Sequence, residues 1–237
     1  MISPTHYRSL LKPEEQAAYR VIVNNLLKHT GRFTVPTADV SQTSIRKTVY
    51  AVACDHPELF FVNFRKYHVV KRHFGQEFKF ELLLDRKASD YISRGLNRLR
   101  DNLTGKIERS DSSAQQKYLH IAREIVAAAA YLDSDDTSWD HSADPLLRHM
   151  TVFEGAAKIF LFLCQRFELP CAIVRGTVDG ERHVWNMVEI DERKMFVDVA
   201  SVIDCPKRLF PSQRFFRSRE YLLRHGYKWN EATLWRG

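Results

Sequence analysis

A helical stretch followed by three short strands, all within residues 153–199, constrains this chain more than any other feature. The helix reads from about Phe153 to Phe167 and the strands as 172–178, 183–190 and 194–199, with turn signals at Asp179-Gly180 and Asp191-Glu192. Turns this short make neighbouring strands run antiparallel, which sets residues distant in sequence side by side. His183 opens the second strand and Asp198 ends the third. A carboxylate beside an imidazole fixes the ring's tautomer and raises its basicity, as in the base-and-orienter half of a catalytic triad. The same pair also serves as a structural hydrogen bond pinning two strands, and both readings stand at this point.

The preceding sequence mixes helices and strands. Pro13 followed by Glu14 and Glu15 marks a first helical turn, and Ala18, Val21, Ile22 and Leu26 continue it towards Gly31. A second helix is expected from near Asp39 to the break at Asp55-His56-Pro57. Segments 59–65, 67–73 and 77–84 read as an antiparallel meander. Two longer helices follow, one through Tyr91 to Leu103 and one through Tyr118 to Val126, with Gly105 and the serines around Ser110 between them. An acidic loop from Asp133 to Asp144 leads into the helix at Phe153. The expected organisation is an N-terminal helix and meander subdomain over 1–110, a core over 111–204 and a basic aromatic extension over 205–237.

Composition narrows the functional classes. At 44% hydrophobic with 9 Gly and 8 Pro, the 237-residue chain can bury a sizeable core, which excludes collagen-like and wholly disordered classes. No apolar run reaches the roughly 18 residues of a membrane span, and the first residues lack the apolar stretch of a signal peptide, so a cytoplasmic location is expected. Cys54, Cys164, Cys171 and Cys205 are too scattered for a disulfide framework, and none forms a CxxC pair. The histidines show no recognised ligand spacing with carboxylates, so neither a metal nor another cofactor is expected.

The net charge of +7 is concentrated at one end. From Cys205 onwards eight Lys or Arg stand against Glu220 and Glu231, interleaved with Phe210, Phe215, Phe216, Tyr221, Tyr227, Trp229 and Trp235. Stacking rings among cations suit a nucleic acid, but they equally suit a tail that docks its rings on the body and solvates its charges, which is the preferred reading.

Four runs carry a resemblance. Thr151-Val-Phe-Glu-Gly-Ala-Ala-Lys158, Leu169-Pro-Cys-Ala-Ile-Val-Arg-Gly-Thr177, His183-Val-Trp-Asn-Met-Val-Glu-Ile190 and Phe196-Val-Asp-Val199 occur in the order and spacing of the transglutaminase-like core of bacterial proteins, which they resemble. Residues 51–63 and 214–225 resemble that family's flanking segments. The resemblance implies an α+β fold of papain-like topology, with His183 at the catalytic histidine and Asp198 at its orienting aspartate. It puts Phe153 at the nucleophilic cysteine. A phenyl ring cannot form a thiolate, so thiol transglutaminase or protease chemistry from that position is excluded. Phe153 large and Ala156 small, one helical turn apart, suggest compensating volumes on one face. Glu154 stands in the first helical turn, where an acid complements the helix dipole, and Trp185 and Asn186 accompany His183. The expectation is a pseudoenzyme that binds a peptide or protein ligand in the former cleft, with Glu154, Trp185 and Asn186 as candidate ligand-binding residues. The alternative is a non-thiol enzyme using His183 and Asp198 as a general-base pair on a peptide or amide. The lesser alternative is nucleic-acid binding through the C-terminal stretch.

Overall fold

The computed structural model of the protein describes residues 2–36, 41–107, 113–128, 130–131, 150–203 and 215–230. It is α+β and divides into two compact units, one of Thr5–Tyr91 and one of Met1–Pro4 with Ile92–Gly237. The candidate linker at Ser110, the acidic loop from Asp133 to Asp144 and Cys205 lie outside the described residues.

The first unit sets helices α1 (His6–Ser9), α2 (Pro13–Leu27) and α3 (Gln42–Asp55) beside a three-stranded sheet. Pro13 begins α2 where its missing N–H costs nothing, and the Glu15 carboxylate accepts the Lys12 N–H at 2.9 Å. Two residues beyond the helix, His29 has a φ of 60°, outside the helical region. Ser41 caps α3 by accepting the Ser44 N–H at 3.1 Å, and Pro57 follows its last turn.

The sheet differs from the expected meander. Segments 59–65 and 67–73 are not two strands: Pro57–Leu59 forms a 3-10 turn, and one long strand β2 (Val62–Arg72) follows, with a bulge between Asn63 and Tyr67. The third partner is β1 (Arg32–Val35), a four-residue strand between Gly31 and Pro36 that is too short to show a period. Strand β3 (Gly75–Leu82) lies between them in the order β1-β3-β2, all antiparallel, with Phe33 and Val69 both opposite Phe78. A Cβ at Gly75 would meet the Val35 carbonyl oxygen at 2.3 Å, so only glycine lets the hairpin turn this close to β1.

Helix α4 (Arg86–Ile107) runs through Gly105 where a break is expected, because each of its two glycines, Gly95 and Gly105, lowers the stability of this strongly amphipathic helix by only about 1 kcal/mol. The division between the two units falls within it. In the second unit come α5 (Ala114–Ala128), the parallel pair β4 (Ala130–Tyr131) and β5 (Met150–Thr151), and α6 (Phe153–Arg166). Strands β6 (Cys171–Val178), β7 (Glu181–Ile190) and β8 (Arg193–Val197) follow as the spacing predicts. Helix α7 (Arg219–Arg224) precedes β9 (Tyr227–Lys228), which completes an antiparallel sheet in the order β8-β7-β6-β9. Helix α6 buries Ala156, Ala157, Ile159, Phe160 and Leu163. It contacts β6 and β7, and the fully buried Asn186 donates from Nδ2 to the Ala157 carbonyl at 3.0 Å. The sheet also carries a cluster of Ala172, Val174, Trp185, Met187 and Phe196, against which Ile2, Leu222, Tyr227 and Trp229 pack. The described part of the C-terminal stretch therefore docks its rings on the body. Among the described residues no helix is long and apolar enough to cross a membrane.

One buried carboxylate ties three parts of the first unit together. Asp55 accepts the N–H groups of Tyr7 and Arg8, each at 2.9 Å, and the Tyr19 hydroxyl at 2.9 Å. Burial lifts its carboxyl from 3.8 to about 6, with the two N–H groups and the hydroxyl pulling the other way. The folded protein therefore binds more protons than the unfolded chain between those values. This group's contribution to stability is complete below pH ~4 and is lost as the pH rises through about 6, a difference of about 3 kcal/mol. Urea titrations at pH 4, 5, 6 and 7 should show this fall in the native protein and a smaller one in Asp55→Asn. An unchanged slope in the variant would assign the titration to another group.

Candidate functional site

Register brings the candidate residues together. The two-residue turn Asp179-Gly180, with φ of 52° and 95°, sets Gly176 opposite His183 across β6 and β7. The turn Asp191-Glu192, with φ of 49° and 63°, sets Asn186 opposite Val197, so that Asp198 emerges at the end of β8 near His183. The His183 Nε2 is 2.7 Å from the Asp198 Oδ2. Facing a carboxylate oxygen, Nε2 is the donor of this bond, which leaves Nδ1 as the second ring nitrogen. Nδ1 has no hydrogen-bond partner among the described residues.

Asp198 is held from two further directions. The Ser201 N–H, from the 3-10 turn Ala200–Val202, donates to Oδ1 at 3.2 Å, and the Tyr227 hydroxyl donates to Oδ2 at 2.7 Å. Burial, and then the charge of Asp198, push the Tyr227 phenol up, so it remains a donor. Its strand β9 pairs with β6 at Thr177 and Val178, and a Cβ on Gly176 would lie 2.1 Å from the Lys228 carbonyl oxygen. Glycine at 176 is therefore what lets β9 deliver Tyr227.

Phe153 is the first residue of α6, half-buried, with its ring centroid 5.3 Å from that of His183 and tilted by 52°. Val152 gives α6 no side-chain cap. Position 153 thus combines the positive end of a helix dipole with a neighbouring imidazole, the two influences that favour a thiolate. Trp185 stacks beside His183 at 6.0 Å and is 1% exposed.

The remaining candidates have structural partners. Glu154 is buried, and its carboxylate takes both Arg175 guanidinium nitrogens at 2.8 and 2.7 Å and the Lys158 ammonium at 3.0 Å. Burial alone would raise that carboxyl, but Arg175 and Lys158 overcome it and hold it well below the usual carboxylate range. Asn186 lies under α6. Phe153, His183, Asp198 and Trp185 therefore meet, whereas Glu154 and Asn186 bind helix to sheet.

Tyr227, Ser201 and Arg175 complete these arrangements and are absent from the sequence-derived site. Tyr227 carried a general signal as one of the rings expected to dock, but its pairing with Asp198 depends on a strand of only two residues. Cys54, Cys164 and Cys171 are buried, and burial together with the adjoining Cys171 thiol pushes Cys164 up, against thiolate formation. Among the described residues no three His, Cys, Asp or Glu side chains group to hold a metal.

No family model and no curated protein matches this chain. Solved structures similar to it include a TGase, 10% identical with a TM-score of 0.44, covering 85% of this chain and 56% of that one. A protein from Cytophaga hutchinsonii assigned as a cysteine protease is 13% identical with a TM-score of 0.38, covering 64% of each chain. Another from Parabacteroides distasonis, assigned as a protease, is 10% identical with a TM-score of 0.32, covering 59% of this chain and 39% of that one. The chain spans about half the length of the TGase.

Two outcomes follow from this geometry. Glu154→Gln removes the charge that compensates Arg175 and Lys158, so denaturant unfolding should show a loss of about 3 kcal/mol at pH 7. Because the folded carboxyl is depressed, the contribution it makes is present above pH ~4 and fades as the pH falls below, so native and variant stabilities should converge in acid. Phe153→Cys should react with iodoacetamide near pH 6, well below the ordinary thiol pKa of about 8.5, and adding His183→Ala should abolish that advantage. Labelling indifferent to His183 would show that the imidazole does not serve position 153.

Proposed function

We propose that this is a transglutaminase-like protein without the cysteine nucleophile, which binds a peptide or protein segment at the face formed by Phe153 and His183. The observation that carries the reading is the incomplete bonding of a carefully held ring. Asp198 takes Nε2, Tyr227 and Ser201 hold Asp198, and Nδ1 is left without a partner among the described residues, beside the half-buried Phe153. The face offers an acceptor for a backbone N–H next to an aromatic surface for an apolar side chain, the combination that extended peptides use.

A second reading draws on the same nitrogen. With Asp198 on Nε2, Nδ1 is a general base that can take a proton from water or from a bound amide without a thiol. Phe153 would then position the substrate.

Selection of a displayed peptide pool on immobilised native protein, followed by affinity measurements, tests both readings. Selected peptides should bind Phe153→Ala and His183→Ala at least tenfold more weakly, a loss of about 1.4 kcal/mol, and emerge chemically unchanged. Consumption of the peptide that stops in His183→Ala, with folding intact by circular dichroism, would establish the enzyme reading. Failure to select any peptide sensitive to Phe153 or His183 would sink both.

A further inference from the structure

The turn between β2 and β3 carries an aromatic ring away from the body. Arg72 stands opposite Gly75, so His73 and Phe74 alone make the turn, and Gly75, with φ of 131°, closes it. Phe74 is 82% exposed, more than any other large hydrophobic side chain among the described residues. His73 stands across its ring at 85°, with the centroids 4.7 Å apart. A single exposed ring needs no partner to explain it, so what surrounds this one decides its meaning.

Behind the tip, the outward face of the sheet is cationic. Register sets Arg32, Lys79 and His68 side by side across β1, β3 and β2, with Thr34, Glu77 and Val70 in the next row towards the turn. Residues directly opposite one another share a face, so these rows and Arg72 form one surface, on which Arg32, His68, Val70, Arg72 and Lys79 are exposed. Glu77 accepts from the Nε of Arg32 and, at 2.8 Å, from that of Arg72. Lys71, exposed beside the turn, adds a fourth cation. Four cations thus stand around one carboxylate, whereas farther from the turn Lys66 and Glu81 balance each other at 3.8 Å. The sheet's other rings lie away from these charges: Phe33, Tyr67, Phe78 and Phe80 stack together on the opposite face.

We infer that the β2–β3 hairpin docks on an anionic phospholipid surface, with Phe74 entering the interface below the head groups while Arg32, Lys71, Arg72 and Lys79 meet the phosphates. The charges are complementary, and long basic side chains reach the head groups while a leading ring goes deeper. Val70, 46% exposed in the row before the turn, adds apolar area on the same side. A single-stranded nucleic acid shares the charge but asks for rings lying among the cations, where bases can stack. Here the ring stands ahead of the cations, which favours the lipid.

The test sediments the full chain with vesicles of phosphatidylcholine and phosphatidylserine in equal amounts, and with vesicles of phosphatidylcholine alone. The mixed vesicles should bind the protein about tenfold or more tightly than the neutral ones, and added salt should weaken that binding. Phe74→Ala should weaken it about tenfold, and the double variant Lys71→Gln, Lys79→Gln by about as much or more. These side chains are exposed, and circular dichroism checks that the variants fold. The chain carries +7 overall, so binding to mixed vesicles that is indifferent to Phe74 and to both lysines would come from other cations and overturn the inference. No binding by the native protein overturns it as well. So does a single-stranded oligonucleotide that binds with dependence on Phe74 when the vesicles do not, an outcome that would assign the hairpin to nucleic acid.

Discussion

Register in the β6–β7–β8 hairpins is the constraint on which the second unit depends. Both connections are two residues long with positive φ at each position, the backbone that matches the natural twist of paired strands. Asp191-Glu192 adopts it without a glycine, so the flanking pairs must hold two left-handed residues in place. A slip of one residue would exchange the sheet's two faces, sending Asn186 away from α6 and His183 away from Asp198. The helix–sheet core and the site therefore stand or fall with the same turns.

Two different polar arrangements follow from that register. Under α6, Glu154, Arg175, Lys158 and Asn186 join helix to sheet with bonds of 2.7–3.0 Å. Across the sheet, the hydrogen bonds converge on Asp198 and leave one imidazole nitrogen without a partner among the described residues. The first arrangement uses its charges on each other, whereas the second gathers its bonds on one carboxylate. Burial strengthens each interaction and makes every unpaired member costly, so this difference bears on role.

Phe153 stands with its ring 5.3 Å from that of His183, at the start of a helix without a side-chain cap. Its ring presents an aromatic surface there.

Much of this was legible in the chain. Helical and strand periods located α2, α3, α5, α6 and β6–β8, because each packs one face on a core and must repeat apolar residues at its own spacing. The short turns and the His183 to Asp198 spacing were legible as well, since hairpins are local structures. Strand β1, the fusion of two segments into a bulged β2, and the passage of α4 through Gly105 were not. Neither was the Tyr227 hydrogen bond. Strands β1 and β9 each depend on a partner far away in sequence: β3 for β1, β6 for β9. Sequence by itself determined which segments coil or extend and which residue types could do chemistry. Tertiary structure alone decided which of those residues meet and which are used up in holding the fold, because hydrogen bonds and burial are satisfied between segments that local pattern cannot pair.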